Sequence, residues 1–513
     1  MFYSILYPLK EEKEKGRTNP PGCLKDLNLD QVFQTILKQE DQYDLEEFFY
    51  TPVSDRKTIL YRQDVLKDLK KENLNRKIDI FSREVYQVSC EMKSIQEDLR
   101  TEDRIRNSNI AKGKFLACAK HYCDNIEFLR DNLEELNVES EGMIQFLEYI
   151  EKYYQSEAYQ TFSNKVKDLQ ERFSKLCYCM MIKNGTIHVR KYDGEEDLSI
   201  RIIQTFEKFR QGDVKDYRQK KALRSKDDHV EAEILYLLEK VYPQEFKDLD
   251  AFVKADLNFL DEGISRFAKE IRFYFSWLNY IKSIEKVGLC FCCPKISEDG
   301  QELYAEQFFD LALAKKMGTK VVTNGFTMTL PERIFVVTGP NQGGKTTFAR
   351  AFGQLHYLAS LGLSVPGVDA NLIFTDRVFT HFEREEDLRL QSGKLQDDLE
   401  RLHQILKEAT KNSVIVVNEI FASTTLRDAL LMGTRMMDEL TKLQAVCVIV
   451  TFLDELASHG PETVSLAGGV KKEDPRIRTF KIERKEPEGL AYAMTIARNY
   501  SLTYEQILRR LEK

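Results

Sequence analysis

No stretch of this chain approaches the roughly 18 uninterrupted apolar residues that cross a bilayer as a helix, which argues against a helical membrane protein. The apolar run in the N-terminal MFYSILYPLKEEKEKG is too short for a secretory signal, so the chain reads as cytoplasmic. Paired CxxC motifs are missing as well. Ten cysteines are present, with Cys177 and Cys179 close together and Cys290, Cys292 and Cys293 in one cluster, but the second set only ends an apolar helical pattern. Without two CxxC pairs they read as reduced thiols and not as a zinc site. An excess of positive charge is lacking too: the net charge is -7, so no global basic field marks a nucleic-acid binder, and any DNA contact must be a local patch.

What is present is enough apolar material, 42% of 513 residues, for several buried cores, and the length suggests roughly three domains. From about residue 60 to 285 the apolar residues keep a helical beat. Ile78, Phe81, Val85, Val88, Met92, Ile95 and Leu99 alternate steps of three and four; Phe162, Val166, Leu169, Phe173 and Leu176 repeat it, as do Leu260, Ile264, Phe267, Ile271, Tyr274, Leu278 and Ile281. Such spacing implies long helices packed along a seam. One interruption, MMIKNGTIHVRKY at 180–192, places Asn184 and Gly185 between two β-prone runs and predicts a hairpin. The basic run KDYRQKKALRSK at 215–226 reads as a solvated surface, with a phosphate-backbone contact as the functional alternative.

Beyond residue 318 the pattern changes to short β-branched runs, IFVVT, SVIVV and AVCVIVT, separated by helical stretches, which predicts a parallel sheet covered on both faces. In IFVVTGPNQGGKTTFARAF, residues 334 to 352, four residues separate Gly339 from Gly344, Lys345 and Thr346. This is the phosphate-loop pattern between a buried strand and a helix. Gly339, Pro340, Asn341, Gly343, Gly344, Lys345, Thr346 and Thr347 are therefore the candidate ATP-binding residues. Loop amides and the helix N-terminus attract phosphate, Lys345 reaches the outer phosphates, and Thr346 is the candidate magnesium ligand.

A second run, VIVVNE, ends a predicted strand on two polar residues, Asn418 and Glu419. An aspartate is the usual residue at the first position. Asn418 can bond a magnesium-bound water through its carbonyl oxygen but brings no charge. Glu419 is the candidate general base for the attacking water. An acid elsewhere, such as Asp387, is an alternative metal holder.

TGPNQGGKTT followed by NEIFASTTLRDA resembles the ATPase domain of the MutS DNA mismatch repair family, in which TGPNxGGKS/T precedes an Asp-Glu pair, a Thr/Ser-rich turn and an Asp. Residues 365–388, the helical half from YTPVSDRKTILYRQDVLKDL onward, and the C-terminal GLAYAMTIARNYSLTYEQILRRLEK are also similar to that family, though less specifically. The resemblance implies ATP and magnesium as cofactors and a homodimer with nucleotide sites completed across its interface. Its candidate interface and signature residues are Ser392, Ser423, Thr424, Thr425 and Asp428. Ser423 or Thr424 would alternatively cap the following helix.

Two family positions differ. The acid at the strand end is Asn418, and the family's switch histidine falls on Phe452. The family's mismatch-reading domain also finds no counterpart in the short N-terminal segment.

The expected architecture is a multi-domain chain: an N-terminal segment over 1–29, a mainly α-helical core and lever domain over 30–290, and an α/β phosphate-loop NTPase domain of the ABC type over 291–513. The expected function is a slowly hydrolysing ATPase that acts as an ATP-gated dimeric clamp on DNA without mismatch specificity. The alternative is a nucleotide-gated scaffold for a protein partner.

Overall fold

A computed structural model of the chain describes residues 2–8, 16–100, 105–184, 186–194, 228–383, 393–470, 478–486 and 501–511. Two compact units are found, each discontinuous in sequence: Met1–Phe2, Asn73–Asn137 and Ile144–Lys269 form one, and Tyr3–Glu72, Val138–Met143 and Glu270–Lys513 form the other. Neither follows a single linear cut near residue 290.

The first unit is helical. Ile78, Phe81, Val85, Val88, Met92 and Ile95 are all buried along one stripe of the helix Glu72–Arg100, as their spacing requires. The helix Glu157–Ser174 buries Phe162, Val166 and Leu169, and begins where the Ser156 side chain accepts the Tyr159 amide at 3.2 Å. Phe259, between two helices, stacks on Phe162 with ring centroids 4.9 Å apart and meets Phe115 edge-on at 5.5 Å, joining the helices Glu157–Ser174 and Ile105–Asp131 through aromatic area. The predicted hairpin is present: β1 (Tyr178–Lys183) pairs antiparallel with β2 (Thr186–Lys191), Met180 opposite Val189, and Asn184 takes a left-handed φ of 52° at the turn. The basic run at 215–226 lies outside the described residues.

The second unit contains the other strands: β3 (Phe291–Cys292), β4 (Lys295–Ser297), β5 (Glu302–Phe308), β6 (Asn324–Thr329), β7 (Ile334–Thr338), β8 (Val365–Pro366), β9 (Asp369–Ile373), β10 (Val378–Phe382), β11 (Val414–Asn418), β12 (Val446–Val450), β13 (Thr463–Val470) and β14 (Arg478–Arg484). The main sheet has the order β10-β11-β12-β7-β13-β14. Its first five strands are parallel, as the near-continuous apolar runs predict, but β14 is antiparallel to β13. A smaller mixed sheet, β4-β9-β5-β6, and the short pair β3-β8 already begin at residue 291, ahead of the change of pattern at 318.

The helix Lys345–Ser360 follows the phosphate loop and is buried along nearly its whole length. Residues far upstream cover it. Arg350 Nε donates to the Asp26 carbonyl at 3.0 Å, Gln354 Nε2 to the Leu27 carbonyl at 2.8 Å, and the Tyr357 hydroxyl to the Phe49 carbonyl at 3.0 Å. Gly353 permits this approach, since a Cβ there would lie 2.5 Å from Leu27 Cδ2. The N-terminal residues thus form part of the unit that holds the loop.

Candidate active site

Parallel register sets the site. Asn418 pairs with Val450 and Val450 with Val337, so β11, β12 and β7 end side by side at one edge of the sheet. Ligands of open α/β sheets gather outside such carboxyl ends. All five residues of each strand are buried, which fixes what emerges from their ends.

Between β7 and the helix at Lys345 the chain turns through Gly339 at φ 108°, Gln342 at φ 60° and Gly344 at φ 94°. A side chain at Gly339 would meet the Gly468 backbone nitrogen at 3.0 Å, so glycine is required by conformation and by space. The loop closes on its own lysine: Lys345 Nζ donates to the Gly339 carbonyl at 2.7 Å, the Pro340 carbonyl at 3.3 Å and Asn341 Oδ1 at 3.4 Å. Burial pushes the Lys345 ammonium below its ordinary value; the Glu419 carboxylate opposes that shift, while Arg478 adds to it. A partly desolvated cation held only by neutral loop oxygens is poised to exchange them for phosphate oxygens.

Across from the loop, Thr346 Oγ1 donates to Asn418 Oδ1 at 2.9 Å, joining the start of the helix to the end of β11. Asn418 is buried and Glu419, the next residue, is half-buried at a left-handed φ of 55°, its amide donating to the Val450 carbonyl at 2.8 Å. A non-glycine residue in that conformation costs free energy and marks a position fixed by its surroundings. Phe452 leaves the end of β12 with 53% of its surface exposed.

The structure brings together Gly339 through Thr347, Asn418 and Glu419. It places Thr425 as the cap of the helix Leu426–Leu443: its hydroxyl oxygen accepts the Asp428 amide at 3.2 Å and its proton goes to Asp428 Oδ2 at 2.8 Å. The cap is therefore Thr425 and not Ser423 or Thr424, because the left-handed turn at Phe421, φ 64°, delays helical geometry until Leu426. Ser423 is exposed and Thr424 half-buried. Ser392 and Asp387 lie outside the described residues.

Sequence reasoning missed a wall made by β13 and β14. Gly468 abuts Gly339, and Phe480 lies against Gly344. The doublet Gly468-Gly469 inside a strand pattern was the available signal, since glycine there marks close backbone approach. The cysteines are free thiols: Cys179 lies in β1 and Cys292 in β3.

A buried parallel strand, a glycine loop closed on its lysine and a helix starting at that lysine form a strand–loop–helix unit of an α/β domain. Residues 335–508 match the model of MutS domain V, the ATPase domain of its family. The chain is similar to the Endonuclease MutS2 of Thermus thermophilus, 28% identical over 193 residues, which is 37% of this chain and 26% of that protein. It is also similar to the DNA mismatch repair protein MutS of Thermus aquaticus, 27% identical over 37% of this chain and 23% of that one. For the DNA mismatch repair protein MutS of Clostridium botulinum the likeness is 26% over 314 residues, 58% of this chain and 33% of the relative. Over residues 335–508 the chain is thus similar to the ATPase domain of the MutS family, while spanning only about a quarter to a third of these relatives' length.

Proposed function

We propose that this chain is an ATPase of low turnover, an ABC-type phosphate-loop NTPase that acts as an ATP-gated dimeric clamp on DNA. The observation that carries the nucleotide site is the 2.9 Å bond from Thr346 to Asn418, which ties the start of the helix that carries Lys345 to the strand end that precedes Glu419.

The donor set fits magnesium, a hard cation that takes oxygen ligands and keeps several waters. Thr346 Oγ1 would bind it directly and Asn418 Oδ1 through a water, and the ion would neutralise charge on the phosphates. Lys345 exchanges its loop carbonyls for outer phosphate oxygens, with the amides of Gly343 to Thr347 completing the cradle. Glu419 orients the attacking water and accepts its proton. Turnover is slow because Asn418 adds no charge beside the developing negative charge, and Phe452 offers no hydrogen bond where the family has histidine.

Dimerisation is supported by the helix Leu426–Leu443, whose Leu426 and Leu431 are 63% and 62% exposed next to Ser423, Thr425 and Asp428. The relatives' names supply the DNA-related reading, and the 29-residue helix Glu72–Arg100 suits a lever. The reading includes indifference to mismatches; Ile5, Leu6, Leu24, Leu27 and Phe33 are buried, so these residues are not themselves free to wedge between base pairs.

Salt-dependent retention of the full chain on homoduplex and mismatched duplex, with and without ATP, tests this reading. Phosphate contacts give a steep loss with salt and equal affinity for both duplexes. A tenfold preference for the mismatch would refute the indifference. Absence of retention at low salt would move the assignment to a nucleotide-gated scaffold for a protein partner, which the net charge of -7 favours.

A further inference from the structure

Asn418 leaves the proposed metal site short of a charge, and the alternative acid suggested by sequence, Asp387, lies outside the described residues. A different carboxylate is at hand. β12 runs between β11 and β7, and its end ties the surrounding chain together: the Glu419 amide donates to the Val450 carbonyl at 2.8 Å, the Thr451 amide donates to the Val337 carbonyl at 3.2 Å, and the Thr451 hydroxyl oxygen accepts the Leu453 amide at 3.0 Å. The chain then turns at once into a short helix, Asp454–Ser458, in contact with β7 and β13.

Packing fixes this turn. Leu453, Leu456 and Ala457 are buried, and Leu456 closes on the helix Leu426–Leu443 so tightly that a Cβ at Gly433 would lie 2.9 Å from its Cδ1. Of the two acids between these anchors, Asp454 is half-buried and Glu455 exposed. Among the described residues the Asp454 carboxylate has no hydrogen-bond or ion-pair partner. Half-burial takes water from a carboxylate, and with no donor in its place this costs the fold stability. The charge is nonetheless felt in the site. Burial lowers the Lys345 ammonium, Glu419 opposes that shift, Arg478 adds to it, and Asp454 is the second carboxylate that opposes it.

We propose that Asp454 supplies the negative charge that Asn418 lacks, accepting a hydrogen bond from a magnesium-bound water, so that the site holds its metal although the strand-end residue is an amide. This rests on the phosphate-loop and magnesium assignments made under Proposed function. Magnesium keeps several waters when it binds beside phosphates, so a carboxylate that does not touch the ion can still act through one of them. Thr346 and Asn418 then give neutral oxygens, Asp454 gives charge, and Glu419 stays free to orient the attacking water. Held at one remove, the Asp454 charge retains the ion without restoring an acid at the end of β11, so turnover stays slow.

Calorimetry of ATP binding by the full chain, with magnesium and with a chelator in its place, tests it. Wild type is expected to bind ATP more tightly with magnesium. Asp454→Asn should lose about tenfold of that affinity, the difference between a hydrogen bond to a charged acceptor and one to a neutral acceptor. In chelator the same variant should bind ATP as well as wild type or better, because a carboxylate repels phosphate when no cation lies between them. Asp454→Glu should keep most of the magnesium effect. In an Asn418→Asp background the charge is back at the strand end, and Asp454→Asn should then cost less than about twofold, a strong departure from additivity.

An unchanged magnesium effect in Asp454→Asn would overturn the inference. So would an equal loss in chelator, which would make Asp454 a structural support of the loop, and so would an equal loss in the Asn418→Asp background, since the two carboxylates would then not replace each other. Wild-type ATP binding that ignores magnesium would remove the metal assignment and the inference together while leaving the phosphate loop standing. No ATP binding at all would remove the loop assignment as well.

Discussion

The two sides of the site differ in what they keep. On the loop side every chemical group of a phosphate cradle is present: Gly339 and Gly344 at left-handed φ, Lys345 held by three loop oxygens, and Thr346 at the start of the helix. On the β11 side, a hydrogen bond away, the strand ends on the uncharged amide of Asn418, and Phe452 exposes an apolar ring after β12. Only Glu419 keeps its charge there. On the proposed reading binding and turnover draw on different residues, so that the first could be retained while the second is slowed.

The largest effect should come from the charge that remains. Glu419→Gln is expected to lower steady-state turnover by about 10²- to 10⁴-fold, the span of general-base catalysis, with ATP affinity unchanged. A variant with wild-type turnover would assign the base elsewhere. On the other side, Lys345→Ala should weaken ATP by about 10- to 150-fold, because hydrogen bonds to a charged group are worth about 1.5–3 kcal/mol. Calorimetry that finds the affinity intact would break the comparison, since the cradle would then not be the binding element.

Restoring the altered side sharpens it. Asn418→Asp together with Phe452→His should raise turnover about tenfold or more, a fraction of what a single well-placed electrostatic group contributes to a transition state. If the wild type already turns over at about 1 to 1,000 per second, the amide is no handicap.

The smallest effect is with pH. Burial holds Lys345 below its ordinary value, so its ammonium is lost at a lower pH than an exposed lysine's would be. ATP affinity should fall as pH climbs through that lowered value. The stability of the nucleotide-free fold should rise over the same window, because there the unfolded chain binds more protons than the folded one. Opposite slopes in titration calorimetry and thermal melts would show both.

The loop side was legible in sequence because its chemistry is local. Glycines that need left-handed φ, a lysine and a threonine occur within eight positions, and no distant residue is needed to interpret them. VIVVNE was legible for the same reason, and so was the helical beat from Ile78 to Ile95. Phe480 was hidden because its significance depends on β14 folding back antiparallel beside a loop more than a hundred residues earlier. Residues 3–72 were hidden likewise. Nothing in the spacing of Leu27 and Phe33 says that they cover a helix some three hundred residues later, whereas the bond from Gln354 to Leu27 and the ring contact of Phe33 with Tyr357 do. The cap at Thr425 depends on the turn at Phe421, which composition alone does not reveal.

The bond from Gln354 to the Leu27 carbonyl joins residues 327 positions apart, and it sets a timetable for synthesis. At about 5–20 residues per second, the segment carrying Leu24, Leu27 and Phe33 leaves the ribosome roughly 16 to 65 s before its partner helix exists. Through that interval its apolar side chains have only nearby partners such as Phe49, 5.1 Å from Phe33 between ring centroids, and lack the surface of the later helix. Contacts of such separation also slow folding, since the entropy of closing a long loop is lost before any contact repays it. The candidate site can therefore take shape only after β14, which ends at Arg484, has been made.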